Sequence, residues 1–128
     1  MPKPPRFHLC KHCGNLTELI EDKGPPLSCC GENMSELAAN TVEASVEKHL
    51  PAATLEGDIL RVKIGSAPHP MEAAHHIAFV QVQTESGCQR KSLPVGGEPK
   101  ADFRFLGDKP VAVYAYCNLH GLWKTDMP

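Results

Sequence analysis

Val111-Ala-Val-Tyr-Ala-Tyr-Cys117-Asn-Leu-His120-Gly-Leu-Trp-Lys124 is the stretch from which the architecture of this chain can be worked out. Its first seven residues are β-branched, aromatic or small, which predicts a buried strand over 111–117. Residues 121–124 return as a further strand after a short turn. Cys117 and His120 therefore lie at a strand end and on a turn, where a rigid sheet presents functional side chains.

Apolar and polar residues alternate in several other short segments, which predicts more strands. The clear patterns span 58–64 and 77–82, and weaker ones span 88–93 and 101–106. Turn residues separate these segments, residues 35–46 resemble a linker or edge segment, and no long helix is predicted. Short strands at this spacing predict an antiparallel β-sandwich.

Composition excludes several functional classes. The 128 residues carry a formal net charge of −2, so a nucleic-acid partner is not expected. No run approaches the roughly 18 apolar residues of a membrane span. The first ten residues lack the apolar centre of a secretory signal, so we expect a cytoplasmic protein. In that reducing compartment grouped cysteines indicate metal or redox chemistry before disulfides, which remain the alternative.

Residues 1–36 contain four of the six cysteines, as a Cys10-x-x-Cys13 pair and an adjacent Cys29-Cys30 pair. Four thiolates predict one tetrahedral site, distorted by the adjacent pair, for iron or zinc. We expect a short hairpin on each side of the metal, which would supply the stability that so small a core lacks. A purely structural zinc is the alternative, and His8 and His12 are predicted to be surface residues.

A second ligand set combines His49, His69 and His75 with Cys117 and His120. Four imidazoles and one thiolate suit a redox iron better than a structural zinc, which closes at four ligands. They also exceed the two histidines and one cysteine of a blue-copper site.

Neighbouring residues leave two points open. His76 competes with His75, because adjacent strand residues face opposite sides and the residues alone favour His75 only slightly. Cys88 stands apart from both ligand groups and is predicted to be a packed or exposed thiol. The aromatic residues Tyr114, Tyr116 and Trp123 are expected in the core or in the wall of the site.

These motifs together resemble desulfoferrodoxin, the two-iron form of the superoxide reductases. The segments that carry the resemblance are Cys10-x-x-Cys13-Gly14 with Cys29-Cys30-Gly31, Glu47-Lys48-His49, His69-Pro70-Met71 through His75, and Cys117-Asn-Leu-His120-Gly-Leu-Trp-Lys124. The spacing from His69 in that family selects His75 rather than His76.

The resemblance implies an all-β protein of two domains and two irons per chain. Residues 1–36 would form a desulforedoxin-like module with iron on Cys10, Cys13, Cys29 and Cys30. Residues 37–128 would form an immunoglobulin-like sandwich that carries the catalytic iron. That iron would take four equatorial nitrogens and one axial sulfur, from His49, His69, His75, His120 and Cys117.

The implied activity is one-electron reduction of superoxide to hydrogen peroxide, with re-reduction by a donor such as rubredoxin. Lys48 would attract the anion, and Glu47 would occupy the open position of the resting ferric site. The resemblance further implies a homodimer from an anaerobic or microaerophilic prokaryote. Two other interpretations remain: an electron-transfer or iron-storage protein without a substrate of its own, and a zinc-stabilised binding module.

Overall fold

The computed structural model describes residues 3–44 and 46–128. These residues form short antiparallel strands and one four-residue helix, so the all-β prediction is confirmed. The chain divides into two compact units, residues 3–38 and residues 39–128. None of the helical structure in the described part is long and apolar enough to cross a membrane.

The unit of residues 3–38 contains five strands: β1 Phe7–Leu9, β2 Leu16–Glu18, β3 Ser28–Cys29, β4 Glu32–Asn33 and β5 Ser35–Glu36. Strand β1 lies between β2 and β5, while β3 and β4 form a separate hairpin. Among its described residues only Phe7, His8 and Cys10 are buried. So little apolar burial stabilises a domain weakly without a further cross-link.

The prediction that His8 is a surface residue is wrong, because the residue is only 8% exposed. It lies on β1, the middle strand, where it pairs with Thr17 on one side and Glu36 on the other. A sequence of three strand residues gives no sign that both edges are covered. His12 is exposed, and its Nε2 lies 3.0 Å from the Glu32 carboxylate.

Residues 39–128 form a sandwich of a three-stranded and a four-stranded antiparallel sheet, an immunoglobulin-like arrangement. Their order is β10-β7-β6 in one sheet and β12-β11-β8-β9 in the other. The elements are α1 Val46–His49, β6 Pro51–Glu56, β7 Ile59–Ile64, β8 Ile77–Thr84, β9 Cys88–Ser92, β10 Lys100–Arg104, β11 Pro110–Cys117 and β12 Gly121–Asp126.

Two elements, α1 and β6, were not anticipated from the sequence. Strand β6 begins with a proline and small residues, and most of its side chains are exposed, so it lacks the apolar alternation of β7. Strand β5 lies in the segment interpreted as a linker or edge segment, and it is an edge strand of its sheet. The remaining predicted strands of the sandwich are present with ends shifted by up to two residues.

The core lies between the two sheets and is built by strand alternation. Leu60, Val62 and Ile64 of β7 are buried, whereas Arg61 and Lys63 between them are exposed. Val113, Ala115 and Cys117 of β11 belong to the same cluster. Cys117 is thus the last core residue of its strand, so its sulfur is fixed by packing.

Candidate metal centres

Four imidazole rings form a square in the unit of residues 39–128. The sides of the square join His49 to His69 (4.7 Å between ring centroids), His69 to His75 (4.7 Å), His75 to His120 (5.1 Å) and His120 to His49 (4.9 Å). Neighbouring rings are nearly perpendicular, with interplanar angles of 74–88°. The diagonal pair His49 and His75 is 6.3 Å apart. Such a square presents four nitrogens to one centre.

The ligand atoms of His49, His69, His75 and Cys117 all lie within 4.8 Å of one another. His120 joins them through Nδ1, which is 3.1 Å from His49 Nε2 and 3.8 Å from Cys117 Sγ. The five residues chosen from the sequence therefore converge. Their number exceeds the four ligands of a structural zinc site.

Chain topology explains why residues so distant in sequence meet here. His49 ends α1 two residues before β6 begins, and His75 lies two residues before β8. Cys117 ends β11, and His120 occupies the turn to β12. Because Cys117 pairs with Ile77 and with Gly121, the start of β8 and the β11–β12 turn share one end of their sheet.

The buried nitrogens of the cluster fit a metal ion. His69 Nδ1 is fixed by the carbonyl oxygen of Pro70 at 2.7 Å, which leaves Nε2 to face the centre. Within the described residues, Nε2 of His69 and Nε2 of His75 are buried without a hydrogen-bond partner. An unpaired buried nitrogen is costly, and a metal ion is the partner that these atoms lack.

Electrostatics favours neutral imidazoles at this site. Burial lowers the pKa of His69 to about 4, and burial followed by the charge of His120 lowers that of His75. Neutral imidazole is the form that binds a metal. Lys48 also lowers the pKa of His75, so its ammonium group acts on the site.

Trp123 forms part of the wall of the site, a placement expected from the sequence. Its ring stacks on His49 with centroids 4.8 Å apart, and its indole N–H donates to the carbonyl oxygen of His120 at 3.1 Å. It thereby orients two of the histidines.

Sequence reasoning predicted a turn after residue 64 but missed that this turn holds the segment of Glu47 and Lys48. The backbone N–H of Gly65 donates to Leu50 O at 2.9 Å, and that of Ala67 donates to Glu47 O at 3.2 Å. Both side chains before His49 are exposed. The glycine after the apolar run of β7 was the available signal, since Gly65 adopts a φ of +82°.

The second cluster consists of the four cysteines of residues 3–38, whose sulfur atoms lie within 4.8 Å of one another. Cys13 Sγ is 3.6 Å from Cys29 Sγ, and Cys29 Sγ is 3.9 Å from Cys30 Sγ. Ligands at about 2.3 Å from a tetrahedral metal are about 3.8 Å apart, so the spacing fits one ion. Cys30 has a φ of 53°, a left-handed conformation that turns adjacent side chains toward one site.

The thiols of this cluster also call for a cation. The backbone N–H of Cys13 lowers the pKa of the Cys10 thiol to about 6. Hydrogen bonds with Cys13 and then Cys10 raise the pKa of Cys30 to about 12, because they stabilise its protonated thiol, and repulsion from the Cys10 thiolate adds to the effect. A metal ion removes that repulsion and keeps all four sulfurs deprotonated.

Comparison with known proteins identifies the family. The desulfoferrodoxin family model matches residues 41–126. A desulfoferrodoxin homolog of Archaeoglobus fulgidus is 39% identical over 120 residues, which cover 94% of this chain and 95% of that protein. The desulfoferrodoxin of Nitratidesulfovibrio vulgaris is 37% identical over 126 residues, covering 98% and 99%. This chain belongs to the desulfoferrodoxin family.

A solved structure extends the similarity to three dimensions. The superoxide reductase of Treponema pallidum superposes with a TM-score of 0.82 at 34% sequence identity, covering 97% of this chain and 100% of that one. As in the desulfoferrodoxin family generally, the cofactor is iron, two ions per chain. One is held by four cysteines and the other by four histidines and one cysteine.

The two residues left open by the sequence have clear positions in this desulfoferrodoxin fold. His76 directs Nδ1 to the carbonyl oxygen of Glu72 at 3.0 Å, while His75 belongs to the ring square. Cys88 is exposed on β9 and lies outside both clusters.

Proposed function

We propose that this protein is a superoxide reductase. It adds one electron and two protons to superoxide, which yields one hydrogen peroxide, and it regains the electron from an external donor. The observation that carries the proposal is the convergence of four imidazoles and one thiolate at the loop end of a sandwich that superposes on a superoxide reductase.

The histidine and cysteine cluster is the proposed reaction site. Bound there on His49, His69, His75, His120 and Cys117, iron supplies the single electron that superoxide takes up. Four neutral imidazoles add no negative charge, which favours an anionic substrate, and the Cys117 thiolate donates electron density to the metal. Burial of Cys117 keeps its sulfur away from water.

Lys48 and Glu47 are the proposed catalytic side chains. Both are exposed and directly precede His49, so they lie at the solvent side of the cluster. The Lys48 ammonium attracts superoxide locally, which the net charge of −2 does not do for the whole molecule. Together with water, Lys48 provides protons for peroxide release. Glu47 would supply a carboxylate ligand to the iron when no substrate is present.

The four-cysteine module holds the second iron on Cys10, Cys13, Cys29 and Cys30, with residues 1–36 and 37–128 as the two domains. A rubredoxin-type protein is the proposed electron donor, and a homodimer is the proposed assembly, both from the family resemblance. The proposed location is the cytoplasm, where grouped cysteines bind metals before they form disulfides, and the proposed role is removal of superoxide from a cell with little oxygen tolerance.

Pulse radiolysis of the iron-loaded protein tests the activity. Superoxide should disappear with formation of hydrogen peroxide, one per electron taken from the reduced protein, and without oxygen release. A protein that only carries electrons would leave superoxide to its spontaneous decay. Elemental analysis belongs to the same experiment, since zinc in place of two irons would contradict the proposal and favour a binding module.

A further inference from the structure

Asn118 lies between Cys117 and His120 but directs its side chain to the loop that carries His75. Its Oδ1 accepts a hydrogen bond from the backbone N–H of His76 at 2.8 Å, and its Nδ2 donates to the carbonyl oxygen of Ala74 at 3.0 Å. Its own backbone N–H donates to the carbonyl oxygen of His76 at 3.2 Å. These three bonds, named here the Asn118 bridge, flank His75 on both sides.

The loop of residues 72–76 is closed on itself by local hydrogen bonds. Glu72 and His75 exchange backbone bonds of 2.9 and 3.1 Å, and His76 Nδ1 bonds to Glu72 O. A loop of this kind holds its own shape but not its position relative to another loop. Pairing of Cys117 with Ile77 attaches the loop after His76, and the Asn118 bridge extends that attachment across His75 to Ala74.

We propose that Asn118 is a positioning residue that fixes His75 relative to the sulfur of Cys117 and the ring of His120. The inference rests on the proposed function, since it takes these three residues as iron ligands. Groups that orient metal ligands through hydrogen bonds set the geometry and affinity of a site without touching the metal.

Only a side-chain amide can make both side-chain bonds of the bridge. The N–H of His76 needs an acceptor and the oxygen of Ala74 needs a donor, and asparagine carries one of each at the required reach. Aspartate keeps the acceptor but places a negative charge against Ala74 O. Alanine removes both groups.

The test uses Asn118→Ala and Asn118→Asp in the full-length, iron-loaded protein. Asn40→Ala is the matched control, because Asn40 also donates to one backbone oxygen and accepts from one backbone N–H, both of Lys124, at 3.0 and 2.8 Å. Lys124 is not among the residues of the histidine and cysteine cluster. Asn40 has a φ of 61°, so its alanine variant also loses folding stability, through backbone strain.

The experiment has three readouts: the sulfur-to-iron charge-transfer band, the electron paramagnetic resonance line shape and the loss of iron to a chelator. Asn118→Ala should shift and broaden the band and weaken iron retention by about ten- to a hundredfold, the usual effect of removing a ligand-orienting partner. Asn118→Asp should change the same readouts in the same direction but less. Asn40→Ala should leave them as in the parent protein.

Two outcomes would overturn the inference: readouts for Asn118→Ala and Asn118→Asp that match the parent, or equal changes in Asn40→Ala. Should Asn118→Ala fail to fold, Asn118→Asp decides the question, because it retains the bond to the His76 N–H. Cys117→Ser separates this inference from the proposed function. A band that survives in Cys117→Ser rejects the ligand assignment itself, whereas a band lost there but unchanged in the Asn118 variants rejects only the bridge.

Discussion

In the histidine cluster, the ring nitrogen that faces the metal position differs from one histidine to another. Nδ1 of His69 is hydrogen-bonded to the carbonyl oxygen of Pro70, so Nε2 is the nitrogen that remains to bind a metal. His120 instead turns Nδ1 toward His49 and Cys117. These choices are set by local hydrogen bonds and by short loop spacing, and they decide which atoms bind.

Cys117→Ser should abolish the charge-transfer band of the oxidised reaction site, because a serine oxygen is not a thiolate donor. The iron of the four-cysteine site should keep its own absorption. Visible spectroscopy of the oxidised protein measures both. Cys88→Ser is the control, since Cys88 is exposed and lies outside both clusters. Retention of the band in Cys117→Ser would remove Cys117 from the ligand set.

Lys48→Ala should slow superoxide capture by about tenfold at low salt and flatten its dependence on ionic strength, since local charge steers small anions. The iron spectrum should remain nearly unchanged. Pulse radiolysis over a series of salt concentrations measures the rate.

Lys109→Ala provides the matched loss of charge for this experiment. Lys109 precedes β11 at the end opposite Cys117, which places it about 25 Å along the strand from the sulfur. The two variants thus change net charge equally. An equal rate for Lys48→Ala, Lys109→Ala and the parent would reject local steering.

At the scale of elements, the turn after β7 holds the segment that contains Glu47, Lys48 and His49. A methyl group on Gly65 would lie 2.5–2.7 Å from the carbonyl oxygens of Ala67, Lys48 and Glu47. The close approach leaves no room for a side chain. The position of the residues before His49 therefore depends on an element outside the cluster.

Gly65→Ala should destabilise the protein by about 1–3 kcal/mol through backbone strain and steric contact, and should also lower the superoxide rate. Thermal unfolding and pulse radiolysis measure the two effects. Gly57→Ala is the control, because Gly57 has a similar φ of +63° but nothing within 4 Å of an added methyl. The control should lose stability through strain alone and keep its rate. Equal rates in both variants would contradict a role for the turn in placing Lys48.

At the scale of the molecule, the two units differ in what stabilises them. Residues 39–128 enclose a core of thirteen buried apolar residues, whereas residues 3–38 bury three side chains in all. A large buried core supports a fold without metal, and a small one depends on a cross-link. We therefore expect the units to respond differently to loss of metal.

Cys13→Ser should release the iron of the four-cysteine site and unfold residues 3–38, since the metal replaces a missing core. The charge-transfer band of the other iron should persist. Hydrogen exchange of backbone amides, read separately for the two units, measures the effect. Cys88→Ser again serves as the control. Protected amides in residues 7–9 of iron-free Cys13→Ser would show that the module folds without its metal.

The fold was predictable where strands alternate strongly and not where they are short or exposed. Strand β7 shows its buried face in Leu60, Val62 and Ile64, because a half-buried strand must alternate. Strand β6 is stabilised by its pairing with β7 and leaves no such pattern. His8 was assigned to the surface because strand neighbours that cover a residue come from distant parts of the chain.

By itself, the sequence determined the ligand chemistry: thiols at Cys10-x-x-Cys13 and Cys29-Cys30, and imidazoles near the ends of apolar strands. Only the tertiary structure decided how those groups meet. His49 and His120 are 71 residues apart yet 3.1 Å from nitrogen to nitrogen. Contacts between residues far apart in the sequence decide three further features. They select His75 rather than His76 as the ligand, they leave no room for a side chain at Gly65, and they hold the side chain of Asn118. Local residue patterns encode which atoms can bind a metal, whereas sheet pairing and packing place those atoms around one centre.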